Sequence, residues 1–198
     1  MELLKKEWLK WHLARSHKGD TTAFSRLYRL QDPWGLKKPS EQFRFQETTR
    51  FIRKRVGEHF GSILEIGCGE GLQTKYFAPL AVRIVGIDPS SRAIQRARAQ
   101  GISNAVFEIG DLKSYETEAR KSFNLVTACE VIYYFENLEF VYQSMSRLGQ
   151  VCLATYYQGV SERLDRFFGT KAVNSETIRG VSCEWRVVWW ANESIDRH

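Results

Sequence analysis

Ile63-Leu64-Glu65-Ile66-Gly67-Cys68-Gly69-Glu70-Gly71 is the segment of this 198-residue chain best suited to hold a ligand. An apolar run ends, three glycines alternate, and a helical pattern carrying Leu72, Tyr76 and Phe77 begins. Glycine permits a tight turn and lets a ligand approach the backbone with no Cβ in the way. A helix N-terminus beyond the turn would offer free N–H groups and a partial positive charge to a carboxylate or phosphate. The spacing excludes two other sites. A GxGxxG dinucleotide turn would need its third glycine at Leu72, and no GxxxxGK[ST] phosphate loop is present. Asp88, in Gly86-Ile87-Asp88-Pro89, closes the next apolar run about twenty residues on, where a carboxylate can accept both hydroxyls of a ribose. Gly110-Asp111-Leu112 closes the third run, and Asp111 there can accept from an adenine amino group. Each feature has a structural alternative, since a glycine turn can be mere punctuation and an acid at a strand end often caps a helix. Together they describe a pocket for an adenosine carrying an amino-acid-like tail.

Positioning these residues requires strands that all end on one side. Ser62–Ile66, Val82–Ile87, Ala105–Ile109, Leu125–Cys129 and Val151–Thr155 read as five such strands. Helices fill most of the gaps: Pro89-Ser90 opens one through Ile94 and Ala97 that Gly101 can close, while the 111–122 gap is the least defined. Strands apolar on both faces and separated by helices imply a parallel sheet covered on both sides. Ser182–Trp190 reads as a late edge strand. Residues 1–60 carry three helical patterns, at Leu4, Trp8 and Trp11, at Phe24, Leu27 and Tyr28, and at Phe45, Thr48 and Ile52. Gln31–Pro39 breaks the helical run with two prolines and a glycine, and Ser40 is the expected cap of the third helix. The expectation is one domain over 1–198, with 1–60 as a helical cap on an α/β core of 61–198.

Composition sets the outer limits. Hydrophobic residues at 43% and charged ones at 26% describe a folded globular chain. No stretch approaches the roughly 20 apolar residues a membrane span needs. The charged N-terminal segment lacks the apolar core of a secretory signal, so a cytoplasmic location is expected, with no membrane partner. Cys68, Cys129, Cys152 and Cys183 form no CxxC pair, and His12, His17, His59 and His198 show no ligand spacing, so no metal is expected. The net charge of +6 is uneven: residues 1–60 hold 14 Lys+Arg against 7 Asp+Glu, and 61–198 hold 15 against 16. That basic third could attract an anionic partner or simply form solvated helix faces.

Glu65 through Gly71 match the first motif of the class I S-adenosylmethionine-dependent methyltransferases, which this chain resembles. The resemblance implies a Rossmann-like sheet of about seven strands, mostly parallel, with a late antiparallel edge strand. It also implies S-adenosylmethionine as cofactor. Glu65, Gly67, Cys68, Gly69 and Gly71 would then face the methionine part, Asp88 and Pro89 the ribose, and Gly110, Asp111 and Leu112 the adenine. Asp32-Pro33-Trp34, Glu41 with Arg44, and Glu130-Val131-Ile132-Tyr133-Tyr134-Phe135-Glu136 are similar to the nodulation N-methyltransferases of the NodS type. Those enzymes methylate the free amine of a glucosamine unit in a chitin oligosaccharide. The similarity fades in the first 30 residues and in the C-terminal third, and Arg147-Leu148-Gly149-Gln150 stands where Pro-Gly-Gly is usual.

Methyl transfer to an amine is an in-line displacement that needs a neutral lone pair and good positioning. By that resemblance Glu130 stands at the acceptor pocket, where it could orient an ammonium and take its proton, or serve only as a salt bridge. Tyr133 and Tyr134 could wall the pocket with faces that favour a cation, or pack in the core. Tyr156 and Tyr157 end strand five on the same rim. Arg44 could pair with the methionine carboxylate, and Trp34 could close over the cofactor or anchor its loop. The expected partner is a small-molecule amine or carbohydrate; oligomeric state is left open. A tRNA or rRNA methyltransferase would use the basic third for phosphate contacts. Against it, no RNA-binding module is recognisable, and Cys129-Glu130-Val131-Ile132 replaces an NPPY-type tetrapeptide. A small-molecule O-methyltransferase and an inactive cofactor-binding subunit are the remaining alternatives.

Overall fold

A computed structural model describes residues 25–118 and 122–192. The helical positions Leu4, Trp8, Trp11 and Phe24 lie outside the described residues. Helix α1 (Pro39–Arg55) buries Phe45, Thr48 and Ile52 as their spacing predicts. Its N-cap is Lys38, so the expected cap, Ser40, lies inside the helix. Proline's fixed φ is already helical and needs no donor in the first turn, so Pro39 starts the helix at once. The elements β1 (Phe60–Ile66), α2 (Thr74–Phe77), β2 (Ala81–Asp88), α3 (Ser91–Arg98), β3 (Ala105–Ile109) and α4 (Leu112–Glu118) follow. Then come β4 (Phe123–Cys129), α5 (Leu138–Leu148), β5 (Gly149–Tyr157), α6 (Glu162–Phe168), β6 (Asn174–Arg179) and β7 (Glu184–Ala191).

The strands form one sheet in the order β3-β2-β1-β4-β5-β7-β6. β1 to β5 are parallel, and β7 runs antiparallel to both β5 and β6. Successive residues alternate between two cores. Ile63, Ile84, Leu125 and Leu153 pack with Ile52 and Phe77 on one face. Leu64, Val85, Val126 and Cys152 pack with Val141, Met145 and Leu148 on the other. Burying a large aliphatic is worth about 1.5–3 kcal/mol, so two-sided burial holds the sheet and fixes strand register.

The late strand corrects the sequence reading. Glu184–Ala191 is not an edge but lies between β5 and β6, burying Trp185, Val187, Val188 and Trp190. The edge on that side belongs to β6, Asn-Ser-Glu-Thr-Ile-Arg, which buries only Ile178 and so carries no apolar signal. Among the described residues no helix is long and apolar enough to cross a membrane. Strand order reverses between β1 and β4, and in open sheets of this kind ligands bind beyond the strand ends at that reversal.

Candidate active site

The glycine turn leaves β1 at that point. Gly67, Gly69 and Gly71 have φ of +70°, +54° and +74°, a region that costs other residues about 1–2 kcal/mol. A Cβ on Gly67 would stand 2.6 Å from Val131 Cγ2, so the turn and the end of β4 meet only because this residue is glycine. Gly67→Ala is therefore expected to cost about 1–3 kcal/mol through strained φ and the Val131 clash, read as a lower thermal midpoint. An unchanged midpoint would refute the clash.

The amides of this turn are already used. Gly67 and Cys68 N–H both donate to Ile87 O, at 2.8 and 3.0 Å, and Gly69 N–H donates to Asp88 Oδ2 at 3.1 Å. These three amides of the turn therefore face back into the sheet. α2, only four residues long, starts beyond Gln73. Gly71 does not line the cavity described below; a Cβ there would meet Phe107 and Ala97, so it serves packing.

A cavity of about 400 Å³ opens above the strand ends. Asp88 and Pro89 line it, and Asp88 is held by Gly69 N–H on one oxygen and Ser90 N–H, at 2.8 Å, on the other. Burial pushes the Asp88 carboxyl up to about 6, and the two amides oppose the shift. Ser90 caps α3 itself by accepting from Ala93 N–H, which relieves Asp88 of that duty. Gly110, Asp111 and Leu112 line the cavity too. Asp111 is exposed and accepts from Ser114 N–H at 2.8 Å and its hydroxyl at 2.9 Å, so it also caps α4.

Arg44 reaches in from α1, 2% exposed. Its Nε and Nη2 each lie 2.9 Å from Glu41 Oε2, and Nη1 donates to Gln73 Oε1 at 2.9 Å. Glu65 accepts from the Thr74 hydroxyl at 2.5 Å. Burial raises Glu65 to about 7, against the pull of Thr74 and Arg44. Gln73 Nε2 is buried with no partner on the cavity wall, a donor waiting for an acceptor. Glu41 was visible only as a companion of Arg44. Gln73 was missed, and its sole signal was its place between the turn and the next helix.

Glu130 follows β4 with φ +55°, a rare conformation for a residue with a Cβ. Its N–H donates to Thr155 O at 2.9 Å, and its Oε1 accepts from the Thr155 hydroxyl at 3.1 Å. The Tyr157 backbone N–H also favours the charged form of this carboxylate. Desolvation raises Glu130 to about 7, with the Arg44 charge opposing and that of Glu41 reinforcing. Tyr133 and Tyr134 stand beside it, ring centroids 4.5 Å apart and hydroxyls hydrogen-bonded to each other. Tyr156 and Tyr157 do not line the cavity. Tyr156 is buried on Asp165, and the half-exposed Tyr157 ring covers Gly159.

Residues 28–36 form a strap across the mouth. Trp34 packs 5.9 Å from Tyr134 and edge-on to Tyr28 at 6.5 Å, and the Trp34 and Tyr28 side chains are hydrogen-bonded. Asp32, at φ +46°, accepts from Leu36 and Lys37 N–H and so shapes the loop. Arg96 fastens it by donating to the carbonyls of Tyr28 and Leu30 and to Glu70.

Residues 63–150 match the family model described as a methyltransferase domain. The chain is 32% identical over 112 residues to nodulation protein S of Bradyrhizobium diazoefficiens, covering 55% of this chain and 52% of that protein. It is 30% identical over 123 residues to a ubiquinone biosynthesis O-methyltransferase of Sinorhizobium medicae, with coverage of 55% and 49%. The chain thus spans about half the length of the curated relatives it matches. The crystal structure of N-methyltransferase NodS from Bradyrhizobium japonicum WM9 with S-adenosyl-L-homocysteine superposes at a TM-score of 0.71 and 23% identity. It covers 87% of this chain and 97% of that one, which shows a shared fold.

S-adenosylmethionine is the cofactor that the methyltransferase-domain match and the neighbouring structures with bound S-adenosylhomocysteine or S-adenosylmethionine indicate, and the cavity fits it. The orphaned Gln73 amide and the remaining N–H groups of Arg44 would hold a carboxylate. Asp88 has acceptor capacity left on both oxygens for a ribose diol, and Ile66, Ile87 and Leu112 give the lining an apolar part.

Proposed function

We propose that this chain, which carries a class I S-adenosylmethionine-dependent methyltransferase domain resembling NodS, transfers a methyl group to an amine of a small molecule or sugar. Glu130 carries the reading: a carboxyl raised to about 7 opens into the cavity beside two tyrosines while its backbone is held in a strained conformation. When bound, the cofactor supplies an electrophilic methyl on a cationic sulfur that leaves as a neutral thioether. Glu130 attracts the amine as its ammonium and accepts the proton that frees the lone pair. Thr155 and Tyr157 hold the carboxylate still during that exchange. Tyr133 and Tyr134 offer ring faces to the cation and exclude water. Glu65, Gly67, Cys68, Gly69, Asp88 and Gln73 bind the cofactor, with Gly110 to Leu112 at its base. The strap closes the site through Trp34, and residues 1–60 act as a cap on a single domain.

An O-methyltransferase is the second reading, favoured by the aromatic wall of Trp34, Tyr133, Tyr134 and Phe135, which would also suit a phenol. Purified chain, methyl-labelled cofactor and a chitin oligosaccharide with one free amine test the first reading, beside a catechol acceptor for the second. The expected product is the oligosaccharide gaining one CH2 on nitrogen, located by fragmentation. Label on the catechol alone would transfer the reading to oxygen. RNA binding should be weak; tight binding whose log K falls by about 0.7–0.9 per phosphate contact with log salt, with methylated bases, would overturn both.

A further inference from the structure

The C-terminal third carries no sequence motif, yet α6 reaches the cavity wall. Leu164 and Phe168 seat the helix in the core, and Phe168 stacks on Tyr156 at 6.0 Å and 10°. Asp165 locks it to the sheet: it accepts from the Tyr156 hydroxyl at 3.0 Å and the Ser161 hydroxyl at 2.5 Å, with Arg186 at 3.6 Å. From this fixed base Arg163 Nη2 donates to the carbonyls of Phe135 and Glu136, at 2.7 and 2.6 Å. Those carbonyls end the 3-10 turn Ile132–Tyr134, and Tyr133, Tyr134 and Phe135 all line the cavity. Tyr157, the last residue of β5 before the chain turns into α6, meanwhile offers the backbone N–H that favours the charged form of Glu130. One segment therefore fixes both sides of the same corner.

We propose that Arg163 is the positioning residue of the acceptor wall, a guanidinium that pins the Ile132–Glu136 turn to α6 so that the two tyrosines face the acceptor. This rests on the reading of Glu130 to Phe135 as the acceptor end. Among the described residues the turn's own backbone bonds are Tyr134 N–H to Val131 O at 3.0 Å and Phe135 N–H to Ile132 O at 3.3 Å. Two short charge-assisted bonds from one guanidinium nitrogen therefore decide its place.

The test compares Arg163→Ala and Arg163→Lys with Arg166→Ala, a control whose side chain meets, among the described residues, the exposed Glu162. Amide exchange by mass spectrometry, S-adenosylhomocysteine affinity by calorimetry, and kinetics with the free-amine chitin oligosaccharide are measured on each. Arg163→Ala should speed exchange in 131–136 about tenfold while leaving 63–71 unchanged. The KM for the oligosaccharide should rise about tenfold, with kcat and cofactor affinity within about threefold of the parent. Arg163→Lys should recover part of both effects, and Arg166→Ala should show neither. Unchanged exchange in 131–136 would overturn the brace, whatever the kinetics. Faster exchange with a matching loss of cofactor affinity would overturn its assignment to the acceptor and give the wall to the cofactor. Faster exchange in a chain that methylates no oligosaccharide would leave the brace standing and remove the reading it rests on.

Discussion

Glu130→Gln is expected to slow methyl transfer by about 10²-fold or more while leaving cofactor affinity nearly intact. The amide keeps the shape and an oxygen for the Thr155 hydroxyl and the Tyr157 N–H, so the strained backbone at φ +55° keeps its anchors. What is lost is the ability to take a proton. In the parent chain kcat/KM should rise as pH climbs through about 7, where Glu130 becomes ionised, and the variant should lack that limb. Stability runs the other way. Burial raises Glu130 above the ordinary 4.5, so the folded chain holds a proton that the unfolded chain has lost. That contribution is complete below about pH 4.5 and is lost as pH rises through about 7. The cofactor-free variant should therefore lose less stability than the parent between about pH 5 and about pH 8. Rates against pH, with melting curves at both ends, check the two signs together. A variant turning over fully at every pH would reduce Glu130 to a structural residue.

Asp88→Ala should weaken S-adenosylmethionine binding by roughly 1.5–3 kcal/mol, the usual worth of hydrogen bonds to a charged group. That is about ten- to a hundredfold in Kd. The side chain also accepts from Gly69 and Ser90 N–H, so its removal loosens the glycine turn as well as the ribose site. Asp88→Asn separates the two effects, since it keeps the shape and one acceptor oxygen. Because Asp88 is raised to about 6, affinity in the parent should fall as pH drops below that value, and neither variant should show the drop. Calorimetry on folded protein measures this, and unchanged affinity in a folded Asp88→Ala chain would remove the ribose assignment.

The residues that made the sequence readable are those whose meaning is local. Apolar runs at Ser62–Ile66, Val82–Ile87 and Leu125–Cys129 fall within β1, β2 and β4, because interior strands buried on both faces must be largely apolar, and Ala105–Ile109 falls on the edge strand β3. Their parallel packing brings Gly67, Asp88, Asp111 and Glu130 to one end, which is why four separated motifs could be read as one pocket. β6 was illegible because an edge strand needs little apolar surface. Partner choice was equally hidden. The use of the turn's amides by Ile87 O, the pairing of Arg44 with Gln73 and the grip of Arg163 on Phe135 O join residues 19 or more apart. Backbone periodicity and turn chemistry act over a few residues and are therefore written in the order of side chains. Which donor meets which acceptor, and which carboxylates lose their water, depends on what strand order sets side by side, and only the tertiary structure decides that.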